Sequence, residues 1–221
     1  MSFLNALAAY PAGLQYTISS GTKSPTLGIS SASWPPSGWS SVQNASQDDS
    51  FVQIPLPFTF YFNNTAYQDV FVGSNQYITF GSGTSVFSGL SSTNPALDKI
   101  FLNAADRSFQ RVAYINATDF SYVRIRYEGA TGTSGTPGSS TVIYEATFFR
   151  PANTGMRPTI EFLVGTQNST GGIVGLYSAG GTSLSSFASF AANQSYVLRQ
   201  SGGISGNFDV SAGSYIGNSG Y

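Results

Sequence analysis

The sequence predicts an all-β protein, an antiparallel β-sandwich with extended N- and C-terminal arms, on three observations. Apolar and aromatic residues alternate at period two in several segments between residues 51 and 200. These segments follow one another without the helical crossovers that parallel strands need, which favours antiparallel pairing. Both chain ends are instead rich in Gly, Ser and other small residues, as is typical of irregular arms.

The clearest element is a hairpin over residues 51–83. Its first strand places Phe58, Phe60 and Phe62 on one face, and Asn63-Asn64 follows as a turn that tolerates positive φ. An extended pattern then resumes at Val70, Val72, Asn75, Tyr77 and Phe80. We interpret these two strands and their polar turn as the first hairpin of a β-sandwich and not as a catalytic motif.

Further alternating segments predict the later strands, at residues 112–114, 122–127, 142–149, 159–164 and 172–177. Residues 84–110 combine a loop with apolar residues that predict either a helical turn or a strand, and residues 129–140 predict a long exposed hairpin loop. The residues that we expect to be largely buried are Phe60, Tyr77, Ile125, Phe148, Phe162 and Val174.

The sequence motif of the hairpin, V-x-V-x-S-N-x-Y-I-T-F-G from Val70 to Gly81, resembles that of the nidogen-like (NIDO-type) β-sandwich domain. The later segments YVRIRY, VIYEATFF, TIEFLV and GIVGLY follow in the order of that domain, so about residues 51–200 carry the resemblance. Such domains occur in extracellular adhesive proteins and in structural proteins of bacteriophage particles. The family has no shared catalytic constellation, so the resemblance implies no active-site residue.

The predicted organisation is an N-terminal arm over residues 1–50, the sandwich over 51–200 and a C-terminal tail over 201–221. The arm has a possible short helix at residues 3–9, and Trp34 and Trp39 bracket a Pro-Pro-Ser-Gly turn. Each tryptophan ring needs a surface against which to bury, either its own sandwich or a neighbouring subunit.

The composition excludes several classes of site. Charged residues make up 9% of the chain, net charge is −1, and the nine basic residues are scattered, so we expect no nucleic-acid binding. The absence of Cys removes disulfides and thiol nucleophiles, and the absence of His removes the usual general base and zinc ligand. Asp48, Asp49 and Asp98 offer oxygen ligands for Ca²⁺, but they lack the spacing of a calcium loop. We expect no cofactor.

A glycosidase would need two carboxylates on facing walls of a cleft. Glu145 and Glu161 lie on neighbouring predicted strands, but each alternates with apolar residues, so we expect outward-facing positions without catalytic function. Arg124 and Arg126 share a strand face, and we interpret them as solvated or paired with local carboxylates.

The first residues lack the basic and apolar regions of a secretory signal, and no apolar run reaches 18 residues, so we expect no membrane insertion. A composition that looks extracellular but comes without an export signal fits a virion protein, which is assembled in the host cytoplasm and released by lysis. The expected location is therefore the virion, or otherwise the extracellular space.

The expected function is that of a non-enzymatic bacteriophage virion structural protein, in the head, neck or tail, acting through subunit association. Its partners would be other virion proteins and further copies of the chain. The alternative is a receptor-binding or glycan-binding adhesin that contacts a host-surface glycan, since surface Tyr and Asn residues suit sugars. The partner-binding residues that we expect in the arms are Phe3, Leu7, Tyr10, Trp34, Trp39 and Tyr215.

Overall fold

A computed structural model describes residues 18–19, 35, 37–43, 47–130, 141–151, 159–164, 172–185, 194–200 and 208–215. In that part of the chain every regular element is a β-strand, and all strand pairs are antiparallel. The strands form two sheets that pack as a sandwich, so the predicted fold class is confirmed. Among the same residues, no helix is long and apolar enough to cross a membrane.

The smaller sheet has five strands in the order β12-β7-β6-β5-β4. Their bounds are β4 Phe51–Phe62, β5 Thr65–Gly73, β6 Tyr77–Phe80, β7 Lys99–Ala104 and β12 Ile173–Tyr177. Residues 84–110 therefore include a strand, β7. The sequence was compatible with either a helical turn or a strand in this range. Asn63 and Asn64 join β4 to β5 with φ values of 49° and 65°, the left-handed conformation that the predicted turn requires.

The larger sheet has nine strands, in the order β1-β14-β13-β11-β10-β9-β8-β2, with β3 also paired to β8. Their bounds are β1 Ile18–Ser19, β2 Ser40–Gln43, β3 Gln47–Asp48, β8 Ser108–Asn116, β9 Tyr122–Ala130, β10 Thr141–Phe149, β11 Thr159–Val164, β13 Gln194–Gln200 and β14 Phe208–Tyr215. Strands β1, β2, β3 and β14 lie outside residues 51–200. Because backbone pairing does not depend on an apolar pattern, the sheet extends into both predicted arms.

The core between the sheets is apolar and rich in aromatic rings. The ring of Phe60 lies 5.3 Å from that of Phe148 on the opposite sheet, and Phe62 stacks on Phe80 at 4.3 Å. Of the six residues predicted to be largely buried, five are, namely Phe60, Tyr77, Ile125, Phe148 and Phe162. Val174 is only half-buried, because β12 is an edge strand with a neighbour on one side.

Residues 81–98 connect β6 to β7 across the outer face of the small sheet, where Tyr77 and Phe101 form a second, smaller apolar cluster. The Tyr77 hydroxyl donates to the carbonyls of Thr84 and Val86, at 2.8 and 3.1 Å. Burial raises the pKa of this phenol well above its usual range, and the charge of Asp49 adds to the effect. Part of the outer face of the small sheet is thus covered by the chain's own connection.

Candidate functional site

A shallow groove of about 380 Å³ lies on the small sheet along β4 and β5, bordered by Gly81 at the start of the connection to β7. Its lining residues are Thr59, Ala66, Tyr67, Gln68, Asp69, Phe71 and Gly81. The groove is lined by a hydroxyl, an amide and a carboxylate together with two aromatic rings. This is the mixture that suits a polyhydroxylated ligand, since rings pack on apolar sugar faces and polar groups bond to hydroxyls.

Tyr67 is held in position within this groove. Its hydroxyl donates to Asp98 Oδ2 at 2.8 Å, and Asp98 Oδ1 also accepts from Asn63 Nδ2 at 3.2 Å and from the Ala179 N–H at 2.8 Å. Burial, the hydrogen bond and the charge of Asp98 together raise the pKa of Tyr67 to about 12. Its ring is therefore a fixed wall, and the phenol stays protonated at neutral pH.

Unlike Tyr67, the other polar side chains of the groove are not held by hydrogen bonds within the described part of the chain. The side chains of Thr59, Gln68 and Asp69 form no hydrogen bond or ion pair with another residue that the structure describes. Because they are not engaged within the protein, they are free to bind a ligand at little internal cost. Sequence reasoning missed this groove, since the alternation in β4 and β5 marks only which residues face inward.

A ladder of buried ions occupies the outer face of the large sheet. Arg126 donates to Glu128 Oε1 at 3.0 Å and to Glu145 Oε1 at 2.9 Å, and Arg111 pairs with Glu128 Oε2 at 2.5 Å. Arg126, Glu128 and Glu145 are 2%, 1% and 4% exposed. The interpretation of Arg126 as paired with a local carboxylate is confirmed. The sequence does carry a signal for this ladder. Charged residues occupy alternate positions of RIRYE in β9, namely Arg124, Arg126 and Glu128, and Glu145 on β10 pairs with Arg126.

The expectation that Glu145 and Glu161 face solvent is wrong, because both carboxylates are buried. They share the outer face, but Glu145 stands opposite Leu163 and Glu161 opposite Thr147, so the two acids are diagonal neighbours. Glu145 is already bonded to Arg126. Their burial leaves no open cleft between two free carboxylates, which is what glycoside hydrolysis requires.

Three carboxylates, those of Asp48, Asp49 and Asp106, have oxygens within 4.8 Å of one another. Burial and the charges of Asp49 and Asp48 raise the pKa of Asp106. Asp98 belongs to the Tyr67 contact and not to this group. Asp49 Oδ1 also accepts from Asn75 Nδ2 at 3.2 Å, and exposed acidic groups of this kind are common without an ion.

The predicted partner-binding residues are only partly within the described structure. Phe3, Leu7, Tyr10 and Trp34 lie outside the described residues. Trp39 is half-buried immediately before β2, and Tyr215 ends β14, where its backbone pairs with Ile18. In the order of the larger sheet, β2 and β14 lie near opposite ends, so the two described positions, Trp39 and Tyr215, are far apart along it.

Large apolar side chains are exposed at other places, and sequence reasoning did not single them out. Phe51, Phe87 and Phe120 are 44%, 47% and 51% exposed, and Val42 is 37% exposed. Phe51 begins β4 and packs edge-on against Phe71 at 5.9 Å, so the groove borders an exposed aromatic residue. Such residues on a monomer are candidates for contact with partners.

Comparison with known proteins gives one match. A family model described as NIDO related matches residues 26–214. No curated protein and no solved structure matches the chain. The matched range begins within the predicted N-terminal arm and ends within β14, so it includes strands on both sides of residues 51–200.

Proposed function

We propose that this chain, which belongs to the NIDO-related family, is a non-enzymatic structural subunit of a bacteriophage virion. It acts by association with further copies of itself and with other virion proteins. The sandwich serves as a rigid body, and the N-terminal residues and exposed aromatic side chains supply the contacts. Nidogen-like domains occur in structural proteins of bacteriophage particles as well as in extracellular adhesive proteins, and this occurrence is the support for the phage setting. The scarcity of surface charge supports the mode of action.

The observation that carries this proposal is how little charge the surface holds. The chain has nine basic and ten acidic residues in 221. The fold buries at least seven of these, namely Asp98, Lys99, Arg107, Arg126, Glu128, Glu145 and Glu161. Interface cores are depleted in charge, and identical copies with few surface charges pack closely without strong repulsion.

The edges of the small sheet favour contacts through side chains rather than by strand addition. Edge strand β4 carries Pro55 and Pro57, which have no N–H to donate, and its pairing with β5 shifts between Pro55 and Phe60. At the other edge, Leu184 donates to the Leu176 carbonyl at 2.7 Å, so residues 178–185 cover β12. Association is therefore expected through faces, loops and arms.

The decisive experiment examines purified particles. We expect cryo-electron microscopy of the phage to show the sandwich in many symmetry-related copies. A variant with Phe3→Ser, Leu7→Ser and Tyr10→Ser should fold with an unchanged melting temperature but be lost from particles. The matched control, Ser2→Ala, Asn5→Ala and Gln15→Ala, should be incorporated normally.

The choice of these residues follows from the strand pairing. Deleting residues 1–40 would remove β1 and the first residue of β2, and so would damage the sheet. Substitutions before residue 18 leave every described strand intact. Incorporation of the serine variant at wild-type copy number would exclude the N-terminal contact, and absence of the wild-type chain from particles would overturn the virion proposal.

The absence of catalysis is a separate part of the proposal. The buried, Arg-bonded position of Glu145 supports it. We expect Glu145→Gln and Glu161→Gln, each confirmed as folded by circular dichroism, to leave the biological activity of the particle unchanged. Loss of polysaccharide cleavage in either variant would contradict a non-enzymatic function.

The second candidate is a glycan-binding adhesin, which the groove on β4 and β5 favours. In this case Phe71 and Tyr67 stack on a sugar, and Asp69, Gln68 and Thr59 bond to its hydroxyls. A fluorescently labelled protein on a glycan array tests it. Binding that falls at least tenfold in Asp69→Ala, but not in Thr118→Ala, an exposed position between β8 and β9 of the other sheet, would support the adhesin. Absence of binding to any glycan would exclude it.

A further inference from the structure

One end of the large sheet carries both an exposed aromatic ring and an exposed cation. Phe120 lies in the turn between β8 and β9, and it is 51% exposed. Arg150 directly follows β10 and is also exposed, and its backbone N–H donates to the Ser121 carbonyl at 2.8 Å. This bond ties the turn to the end of β10. Phe120 and Arg150 are called the knob below.

The turn that holds Phe120 is fixed, and its conformation is unusual for an aromatic residue. The Phe120 N–H donates to the Ala117 carbonyl at 2.9 Å, and Asp119 Oδ1 accepts from the Ser121 N–H at 3.0 Å. Phe120 has a φ of 55°, a left-handed conformation that Gly or Asn adopts at lower cost. A large ring that strains the backbone and is half-exposed contributes little to its own fold, so contact with a partner accounts for it better.

Arg150 is a cation that is not used within the protein. Its side chain forms no hydrogen bond or ion pair with a described residue. The other basic residues whose exposure the structure describes are buried or partly buried, namely Lys99, Arg107, Arg111, Arg124 and Arg126. The Arg150 guanidinium can therefore pair with an anion on another molecule without breaking a bond within its own chain.

The groove along β4 and β5 has the complementary chemistry. Of its described lining residues, Asp69 alone is charged, and its carboxylate is not engaged with a described residue. The Tyr67 hydroxyl has its proton committed to Asp98, so its oxygen can only accept from a ligand. Tyr67 and Phe71 add two rings, whose faces attract cations. A guanidinium, which is planar, carries five donors and stacks on rings, suits this combination.

We propose that the knob of one copy of this chain occupies the groove of a second copy. The Arg150 guanidinium pairs with Asp69 and packs against the rings of Tyr67 and Phe71, and Phe120 covers the aromatic rim. The inference rests on the proposed self-association and deepens it, because it names the two surfaces that meet. A neighbouring copy seated in the groove would exclude the glycan of the second candidate function.

The two surfaces belong to different sheets, so the contact is head-to-tail. The groove lies on the small sheet, and the knob lies at the end of strands of the large sheet. After one such contact forms, the pair still has one unoccupied knob and one unoccupied groove, so further copies can add. The product is a ring or a filament, which is a multi-copy assembly of the kind proposed above.

Analytical ultracentrifugation tests the contact. The wild-type chain should form species larger than a dimer, in proportions that rise with protein concentration. Arg150→Ala and Asp69→Asn, each confirmed as folded by circular dichroism, should raise the Kd of association at least about tenfold. The matched control Asp106→Asn removes one exposed carboxylate outside the groove and should associate as the wild type does. A wild-type chain that stays monomeric at about 1 mM would overturn the proposal.

A mixing experiment tests the head-to-tail geometry. Asp69→Lys blocks the groove and keeps the knob, and Arg150→Ala weakens the knob and keeps the groove. Each variant alone should be monomeric, while their equimolar mixture should form a heterodimer and nothing larger, because one intact knob meets one intact groove. A mixture that stays monomeric would overturn the proposal.

The failure of this inference is distinguishable from failure of the virion proposal. Association of Asp69→Lys and Arg150→Ala at the wild-type Kd would show that copies associate through other surfaces. A map of the particle that contains the chain, but with Arg150 distant from Asp69 of each neighbouring copy, would likewise overturn the knob contact and leave the virion proposal standing. Absence of the chain from particles would overturn the virion proposal, while the ultracentrifugation result would still decide the contact.

Discussion

The two faces of the large sheet differ in chemistry although the same strands supply both and both are buried. In β9, Val123, Ile125 and Tyr127 point into the core between the sheets, while Arg126 and Glu128 lie on the opposite face. The inner residues are held by apolar packing, and the outer residues by the ion ladder. An alternating pattern therefore identifies the two faces of a strand without showing which of them meets solvent.

The two kinds of burial respond differently to substitution. An apolar side chain contributes through the water it excludes and the space it fills, so its loss leaves a cavity. A buried ion contributes through its partners, and its removal leaves an uncompensated charge. Single and paired substitutions on the two faces separate these effects.

The largest effect is expected on the inner face, from Phe148→Ala. Phe148 is fully buried, and its ring packs edge-on against Phe60 at 5.3 Å and Phe80 at 6.2 Å. Its truncation should lower the free energy of unfolding by about 3–5 kcal/mol, as measured by urea denaturation. The control Phe87→Ala, at a ring 47% exposed, should change it by less than about 0.5 kcal/mol. Equal losses would contradict the placement of the core.

On the outer face, Arg126→Met should lower the free energy of unfolding by about 3 kcal/mol, because it leaves Glu145 buried without its cation. The double variant Arg126→Met/Glu145→Leu removes both charges, while Glu128 keeps Arg111. It should recover at least half of the loss, because apolar pairs replace buried ion pairs at little cost. A double variant less stable than the single would show that the ladder acts as an indivisible network.

The dependence of stability on alkaline pH tests the burial of the two phenols on the inner face, those of Tyr144 and Tyr127. Burial raises the folded-state pKa of Tyr144 and Tyr127 above the usual value of 10.0. The stability that this gives is complete below pH 10 and is lost as the pH rises above 10, where only the unfolded chain gives up these protons.

Urea denaturation between pH 8 and 11 measures this loss. Tyr144→Phe should reduce the slope above pH 10 by about 1.4 kcal/mol per pH unit, the contribution of one proton. An unchanged slope would mean that the Tyr144 phenol is accessible to water in the folded protein.

The smallest effect is expected at the rim of the ladder, from Arg111→Met. The Arg111 side chain is 16% exposed, and its partner Glu128 retains a second cation in Arg126. The expected loss is about 1 kcal/mol, since partly solvated pairs contribute little when another partner remains. A loss as large as that of Arg126→Met would show that Glu128 depends chiefly on Arg111.

Local chemistry made several elements predictable. The alternation of Phe58, Phe60 and Phe62 and the turn at Asn63-Asn64 specify a hairpin without reference to the remaining chain, because strand period and positive φ are local properties. Strands β9, β10, β11 and β12 were predictable for the same reason. Strands β2 and β14 were missed because SSVQ and FDVSAGSY carry weak alternation, and they become strands through pairing with β8 and β13.

The sequence by itself determined the fold class, the hairpin, the composition of the core and the scarcity of charge, because each follows from residue type and period along the chain. Only the tertiary structure decided where the charges lie. Arg126 and Glu145 are 19 residues apart, and Tyr67 and Asp98, which are also joined by a side-chain hydrogen bond, are 31 residues apart. Such pairs form when antiparallel register and sheet packing bring distant positions together, which no short-range pattern encodes.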